Sequence, residues 1–177
     1  MRLRQASKLA AAAVAAVALA VMAAPSASAH APSVSLRVYD TYGLCTIGTA
    51  TFQHVHGNGP NTAKAITTAR VAGCTTIDMF APGWLAVRYD VQKWKGSATG
   101  WVTCQTSNWV FNTTWADKVE VPSSQPNIPS DSSGIPDCDG TANDGPGYFR
   151  TLGVHYVWDG SAWRGGAVAS PHHQLPA

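Results

Sequence analysis

Residues 84–94 read WLAVRYDVQKW, and apolar and polar side chains alternate along most of this stretch. Successive side chains of a β-strand point to opposite faces of a sheet, so a period of two predicts a strand with one apolar face. The residues predicted to face a core are Leu85, Val87, Tyr89 and Val91, and those predicted to face outward are Arg88, Asp90 and Gln92. No other stretch of the chain shows the strand pattern as clearly.

Two hairpins are predicted around stretches of the same kind. The turn sequence KGSATG leads from this strand into WVTCQTSNWVF at residues 101–111. Further along, YFRTLGVHYVW at residues 148–158 is followed by Asp159-Gly160 and the returning stretch AWRGGAVA. Asp-Gly between apolar runs favours a type I′ hairpin, in which both central residues have positive φ. Trp158 and Trp163 are then expected to pair across the turn.

The remaining strand-like stretches complete an all-β pattern. They are SVSLRVY (33–39), CTIGTATFQHVH (45–56), TAKAITTARVAG (62–73), CTTIDMF (74–80) and TTWADKVEV (113–121). Eight or nine short strands separated by Gly- and Pro-containing turns predict an antiparallel β-sandwich, with an immunoglobulin-like layout as one option and a barrel as the alternative. The cysteine spacing does not reproduce the Cys…Trp…Cys arrangement of immunoglobulin domains.

The N-terminus has the features of an export signal. Arg2, Arg4 and Lys8 precede an apolar run over residues 9–24, and Ala27-Ser28-Ala29 forms a small-x-small cleavage site. We therefore expect residues 1–29 to be a signal peptide and residues 30–177 to be a single secreted β-domain. In its Ala-rich leader the chain resembles small exported proteins of actinobacteria.

Four cysteines favour a disulfide framework in an exported chain. Of the three possible connectivities, we favour the sequential pairs Cys45–Cys74 and Cys104–Cys138, since they need the least topological coincidence. No CxxC spacing supports a zinc-finger or thioredoxin-like site.

The charge balance argues against a polyanionic partner. The chain carries 12 Lys and Arg against 10 Asp and Glu, and loss of Arg2, Arg4 and Lys8 with the leader leaves nine against ten, a net charge of −1. A near-neutral domain without a basic cluster is not expected to bind nucleic acid or to insert into a membrane.

Motifs that identify a hydrolase are missing from the sequence. It contains neither G-x-S-x-G nor H-E-x-x-H. Glu120 is its only glutamate, and nothing in the spacing of Asp78, Asp90 and Asp117 brings two carboxylates together. An acid–base pair of Glu120 with His54, His56 or His155 is compatible in residue type alone. We therefore assign no catalytic or cofactor-binding residue.

Histidines at the start of the secreted chain raise the question of metal binding. Cleavage after Ala29 would give His30 a free α-amine, and His54 and His56 have the same parity on a strand. Together they would form a nitrogen-rich copper or zinc site. This arrangement resembles the histidine brace of lytic polysaccharide monooxygenases and implies a copper-dependent oxidase. Substrate-face motifs of that family are not recognisable, so we interpret His30 as a by-product of cleavage and assign no metal site.

A long polar loop is expected over residues 122–147, where Pro, Ser, Asn, Asp and Gly dominate. Its segment from Asp131 to Asp137 resembles the calcium-binding repeats of the thrombospondin type 3 kind, with Ser133 in place of one ligand aspartate. Calcium binding at residues 131–144, where Asp131, Asp137, Asp139 and Asp144 lie, therefore stays open. We expect this loop to carry a partner contact, with Ile128 and Ile135 as apolar anchors.

Seven tryptophans are the remaining candidates for function. Trp84 and Trp94 share the outward parity of their strand, and exposed aromatic residues stack on sugar rings or anchor protein interfaces. We expect one or two of the seven to be exposed, since Trp is mostly buried. The sequence as a whole predicts a secreted, non-catalytic binding domain for another secreted or cell-surface protein, as an adaptor subunit of a secreted assembly, or for a glycan. The alternative is a small hydrolase or a copper oxidase that uses His30 with His54 or His56.

Overall fold

The computed structural model describes residues 29–30, 33–41, 43–55, 61–121 and 147–175. Within these ranges the chain forms strands and no helix, so no described segment is a helix able to span a bilayer. The strands are β1 (Ala29–His30), β2 (Ser33–Thr41), β3 (Leu44–Val55), β4 (Thr62–Val71), β5 (Thr76–Ile77), β6 (Leu85–Trp94), β7 (Trp101–Thr106), β8 (Val110–Phe111), β9 (Lys118–Val121), β10 (Gly147–Trp158), β11 (Trp163–Ala169) and β12 (His173–Leu175).

These strands form two antiparallel sheets that pack face to face. In the first sheet β3 and β4 are central, with β1 and β2 along one edge and β5 and β9 along the other. In the second sheet β6 and β10 are central, with β11 and β12 beside β10 and with β7 and β8 beside β6. The predicted antiparallel β-sandwich is confirmed.

The core lies between the sheets and consists mainly of the inward-facing side chains of the central strands. Phe52 of β3 and Phe149 of β10 stack with ring centroids 6.3 Å apart. The predicted inward residues of β6 are all fully buried; these are Leu85, Val87, Tyr89 and Val91. Burial also raises the pKa of Tyr89 to about 12. The period of two in residues 84–94 therefore identified the core face of a central strand.

The polar residues on the outward face of β6 are less exposed than the sequence pattern predicts. Asp90 and Gln92 are only 7% and 8% exposed. Arg88 lies 3.8 Å from the Asp90 carboxylate, and Arg150 donates a hydrogen bond to Gln92, so long side chains from the same face cover both residues. Sequence parity gives the face of a strand but not how far neighbouring side chains shield it.

Both predicted hairpins exist, and the second differs in its turn. Strand β6 pairs with β7, and β10 pairs with β11, with Trp158 directly opposite Trp163. The β10–β11 loop has Gly160 at φ 96°, but Asp159 is not among the residues of positive φ, so the type I′ prediction is wrong. The Asp159 carboxylate instead accepts hydrogen bonds from the backbone N–H groups of Ser161 and Ala162 and from Arg164 Nε. These contacts, led by Arg164, hold the pKa of Asp159 well below its usual range.

A disulfide joins Cys45, near the start of β3, to Cys74 in the turn after β4, with Cα atoms 5.2 Å apart. The turn needs positive φ at Ala72, Gly73 and Cys74. The predicted Cys45–Cys74 pair is confirmed, and closing a loop of this size contributes about 3–4 kcal/mol in the chain-entropy account.

Several predictions fall outside the described residues. They concern residues 1–28 of the leader predicted over residues 1–29, Cys138 as the partner of Cys104, His56, the aspartates at 131–144, and Ile128 and Ile135 of the 122–147 loop. These stay predictions.

Among the fully buried polar residues, His155 of β10 lies between the sheets. Thr67 Oγ1 donates its proton to the carbonyl of Ala86 at 2.9 Å, so it accepts at 3.0 Å from His155 Nδ1, which fixes the tautomer. The other nitrogen, Nε2, is buried and has no hydrogen-bond partner in the part of the chain that the structure describes. The imidazole occupies space left by two glycines: a Cβ at Gly48 or Gly153 would lie 2.3 or 2.4 Å from the ring.

The burial of His155 predicts a loss of stability in acid. Burial lowers its pKa to about 4, against an ordinary value of 6.5, because the charged form loses its hydration. Between pH 6.5 and about 4 the unfolded chain binds a proton on His155 that the folded protein does not. The free energy of unfolding is therefore unaffected by His155 above pH 6.5 and falls by about 3 kcal/mol as the pH decreases from 6.5 towards 4. Urea unfolding at a series of pH values measures this loss. His155→Asn keeps an amide donor towards Thr67 and should lack this part of the pH dependence; identical pH profiles would contradict the assignment.

The close approach of Gly48 to His155 predicts a coupled pair. Gly48→Ala should lower the free energy of unfolding by about 1–3 kcal/mol, because the new methyl group overlaps the imidazole. In a His155→Ala background the same change should cost less, since the ring is gone. Chemical denaturation of the two single variants and the double variant measures the coupling, and an equal cost in both backgrounds would show that the ring is not the obstacle.

Candidate functional site: the outer face of the second sheet

The outer face of the second sheet carries most of the exposed aromatic side chains. Five of the seven tryptophans are exposed, so the expectation of one or two is wrong. The exposed five are Trp84, Trp94, Trp109, Trp115 and Trp163. The inner face of the sheet is already filled by residues such as Phe149 and Tyr89, which leaves aromatic residues of the opposite parity in solvent.

At one end of this face, four rings line an open cleft of about 330 Å³, which we call the cleft: Trp94, Trp101, Tyr148 and His172. Trp94 and Trp101 are cross-strand partners at the end of the β6–β7 hairpin, with ring centroids 5.4 Å apart and planes at 59°. Tyr148 packs edge-on against His172 at 5.2 Å, and His172 lies 6.3 Å from Trp101. The cleft therefore presents ring surfaces at several angles to solvent.

Three hydrogen-bonded polar residues beside the cleft, Arg150, Gln92 and Thr103, hold Trp101 in place. The Arg150 guanidinium lies 4.2 Å from the centroid of the Trp101 ring. Its Nε donates to Gln92 Oε1 at 2.9 Å, and Gln92 Nε2 donates to Thr103 Oγ1 at 3.4 Å. These contacts follow from the register, in which Gln92 pairs with Arg150 on one side and with Thr103 on the other. Partial burial lowers the pKa of Arg150.

At the opposite end of the face lies a second aromatic group, which we call the distal cluster: Trp109, Phe111, Tyr156, Trp158 and Trp163. Its rings lie 5.7 to 6.5 Å apart between centroids. The predicted Trp158–Trp163 pair belongs to it, at 5.7 Å, and Arg88 covers the Trp109 ring at 5.2 Å.

Asn112 fixes the segment that brings Trp109 and Phe111 to this cluster. Its Nδ2 donates to the carbonyls of Phe80, Ala81 and Thr114, and its Oδ1 accepts from the Leu85 N–H at 2.8 Å. Asn112 begins a glycosylation sequon by pattern. Its amide nitrogen is buried and donates to three carbonyl groups, so the side chain has a structural role here and is not placed to carry a glycan.

Between the cleft and the distal cluster runs a band of polar side chains, which we call the polar band: Arg88, Asp90, Gln92 and Arg150. Asp90 Oδ1 and Arg88 Nε are buried and have no hydrogen-bond partner among the described residues. Leaving such atoms unpaired costs about 1–3 kcal/mol each, and their burial places them out of reach of a ligand on the surface of this face.

Of the candidate acid–base pairs, Glu120 and His155 are not brought together. His155 lies between the sheets, whereas Glu120 on β9 faces outward and forms an exposed ion pair with Lys64 at 3.3 Å. Among the described residues no group of three His, Cys, Asp or Glu is placed to hold a metal ion. The strand register does place His30 of β1 directly opposite His54 of β3.

Sequence reasoning identified Trp94 as outward and missed the cleft. The Trp94–Trp101 pair follows from the predicted hairpin once its register is known, but Tyr148 and His172 reach the same place only through pairings distant in sequence. No protein-family model, curated protein or solved structure matches this chain.

Proposed function

We propose that this protein is a secreted, non-catalytic domain that binds glycans through the outer face of the second sheet. The cleft is the observation that carries the proposal. A pyranose ring has an apolar C–H face that stacks on aromatic rings and a periphery of hydroxyls that need hydrogen-bond partners. Aromatic walls with a few placed polar groups alongside are the ordinary composition of a small-ligand site.

The charges around the cleft favour a sugar over a cation. Aromatic walls also bind quaternary ammonium groups, through the electron-rich faces of the rings. Here the Arg150 guanidinium already occupies a face of Trp101, with 4.2 Å between the guanidinium carbon and the ring centroid. A second cation in the cleft would be repelled by this group.

The distribution of apolar surface favours a glycan over a protein partner. The centre of a protein interface is depleted of charged residues, which are found at its rim. On this face the charged side chains of Arg88, Asp90 and Arg150 lie between two aromatic groups instead of around them. A sugar chain itself alternates apolar ring faces with polar edges and fits such an arrangement. A disulfide-bonded sandwich with a predicted leader supports secretion.

Removing a cleft ring tests the proposal. Trp94→Ala and Trp101→Ala should each weaken binding to a retained polysaccharide by about tenfold or more, because a stacked aromatic contact contributes about 1–2 kcal/mol. Retention on insoluble cellulose, xylan and chitin, followed by depletion isotherms, measures this. Trp115→Ala is the matched control, since Trp115 is 63% exposed and lies outside the cleft and the distal cluster.

Two outcomes would contradict glycan binding. The first is that no polysaccharide in the panel retains the wild-type protein. The second is that Trp115→Ala weakens retention as much as Trp94→Ala does, which would indicate nonspecific adsorption. If a stoichiometric protein from culture supernatant bound the wild type and not Trp94→Ala, the face would be a protein interface instead.

The register of His30 and His54 is the observation that favours the alternative of a copper oxidase. Strands β1 and β3 pair with His30 opposite His54, and imidazole is a common copper ligand. On our proposal intact mass should show a chain that starts at His30, and copper titration should leave its absorption spectrum unchanged. Submicromolar, stoichiometric copper binding that is lost in His54→Ala and on blocking the α-amine would establish the alternative.

A further inference from the structure

We infer that the cleft and the distal cluster are two subsites of one extended surface, and that its ligand is a neutral, linear polysaccharide long enough to span both. The inference rests on the proposed function and adds the class of glycan to it.

The two aromatic groups are aligned along the same strands. On β10 the cleft residue Tyr148 and the distal residue Tyr156 have the same parity, and eight residues at about 3.3 Å each separate them by about 26 Å. On the neighbouring strand, Trp94 contributes to the cleft, and Ala86 pairs with both Tyr156 and Phe111 at the distal end. A ligand that follows the strands therefore passes from one aromatic group to the other.

The polar band between the subsites suits hydroxyl groups. Asp90 Oδ1 and Arg88 Nε are buried and out of reach of a ligand, but the Arg88 side chain as a whole is 33% exposed. No described residue accepts from the terminal amino groups of Arg150, whose Nε is held by Gln92. A hydroxyl oxygen accepts hydrogen bonds without carrying a charge, so the hydroxyl groups of a sugar chain suit the accessible guanidinium groups of this band.

The mixed sign of the polar band indicates an uncharged ligand. A polyanion would be attracted by Arg88 and Arg150 but would place negative charge against the shielded Asp90 carboxylate. A polycation would be attracted by Asp90 but repelled by Arg88 and Arg150. A neutral chain avoids both penalties, which are large for shielded groups.

Two linked subsites predict an affinity that rises with ligand length. Once one part of a chain occupies the cleft, the rest is held near the distal cluster at a high effective concentration, and binding then tightens by on the order of 100-fold without a stronger contact at either site. A disaccharide cannot reach from one subsite to the other and should show the affinity of the cleft alone.

The experiment is calorimetry on the full-length secreted protein with soluble β-1,4-linked xylo- and gluco-oligosaccharides, from disaccharide to hexasaccharide. The wild type should bind the hexasaccharide on the order of 100-fold more tightly than the disaccharide. Trp163→Ala should remove most of this gain and leave disaccharide binding unchanged, whereas Trp94→Ala should weaken both. Phe111→Ala repeats the distal test if Trp163→Ala folds poorly, and Trp115→Ala should change neither.

Equal affinity for short and long oligosaccharides, with no effect of Trp163→Ala or Phe111→Ala, would overturn the inference. The proposed function would survive that result if Trp94→Ala still abolished disaccharide binding. Failure of every saccharide to bind would reject both. Between about 50 mM and about 500 mM NaCl the affinity for the hexasaccharide should be nearly constant; a steep decrease would show that charge pairing, and not stacking on a neutral chain, dominates.

Discussion

The alternation of side chains along β6 and β10 is the constraint on which both the core and the candidate site depend. These strands are central in the second sheet, so one parity of each must pack against the first sheet. Once Leu85 and Phe149 are committed to the core, Trp94 and Tyr148 are committed to the outer face. A slip of one residue would exchange the two sets, placing Arg150 in the core. The aromatic face is therefore held in position by the burial of the residues between its members.

A polar contact inside the core restricts how the two sheets approach each other. The imidazole of His155 reaches from the second sheet to Thr67 of the first and lies against the backbone at Gly48. A hydrogen bond between the sheets has directional requirements that apolar contacts lack, which favours one alignment of the layers. Nε2 of this imidazole has no hydrogen-bond partner among the described residues, and burial of the ring lowers its pKa and so links the stability of the fold to pH.

The local sequence pattern was sufficient to predict those features that depend on residues close together in the chain. The inward face of β6, the β6–β7 and β10–β11 hairpins, the Cys45–Cys74 pair and the Trp158–Trp163 contact were all predictable. The turn type was not, because the Asp159 side chain supplies hydrogen bonds that a type I′ backbone would not need. The cleft was not predictable either, since it depends on which strand lies beside β10 and on which sheet face stays uncovered.

The pairing of β6 with β10 also has a consequence for how the chain folds. Leu85 lies opposite Val157, and Leu175 of β12, the last described strand, is fully buried in the same core. Such contacts close very long loops, and domains dominated by them fold in milliseconds to seconds, far more slowly than helical bundles. The β6–β7 hairpin has a short loop and is able to form early. The sandwich closes only when the last strands arrive, so a nascent chain without them has no complete core to fold around.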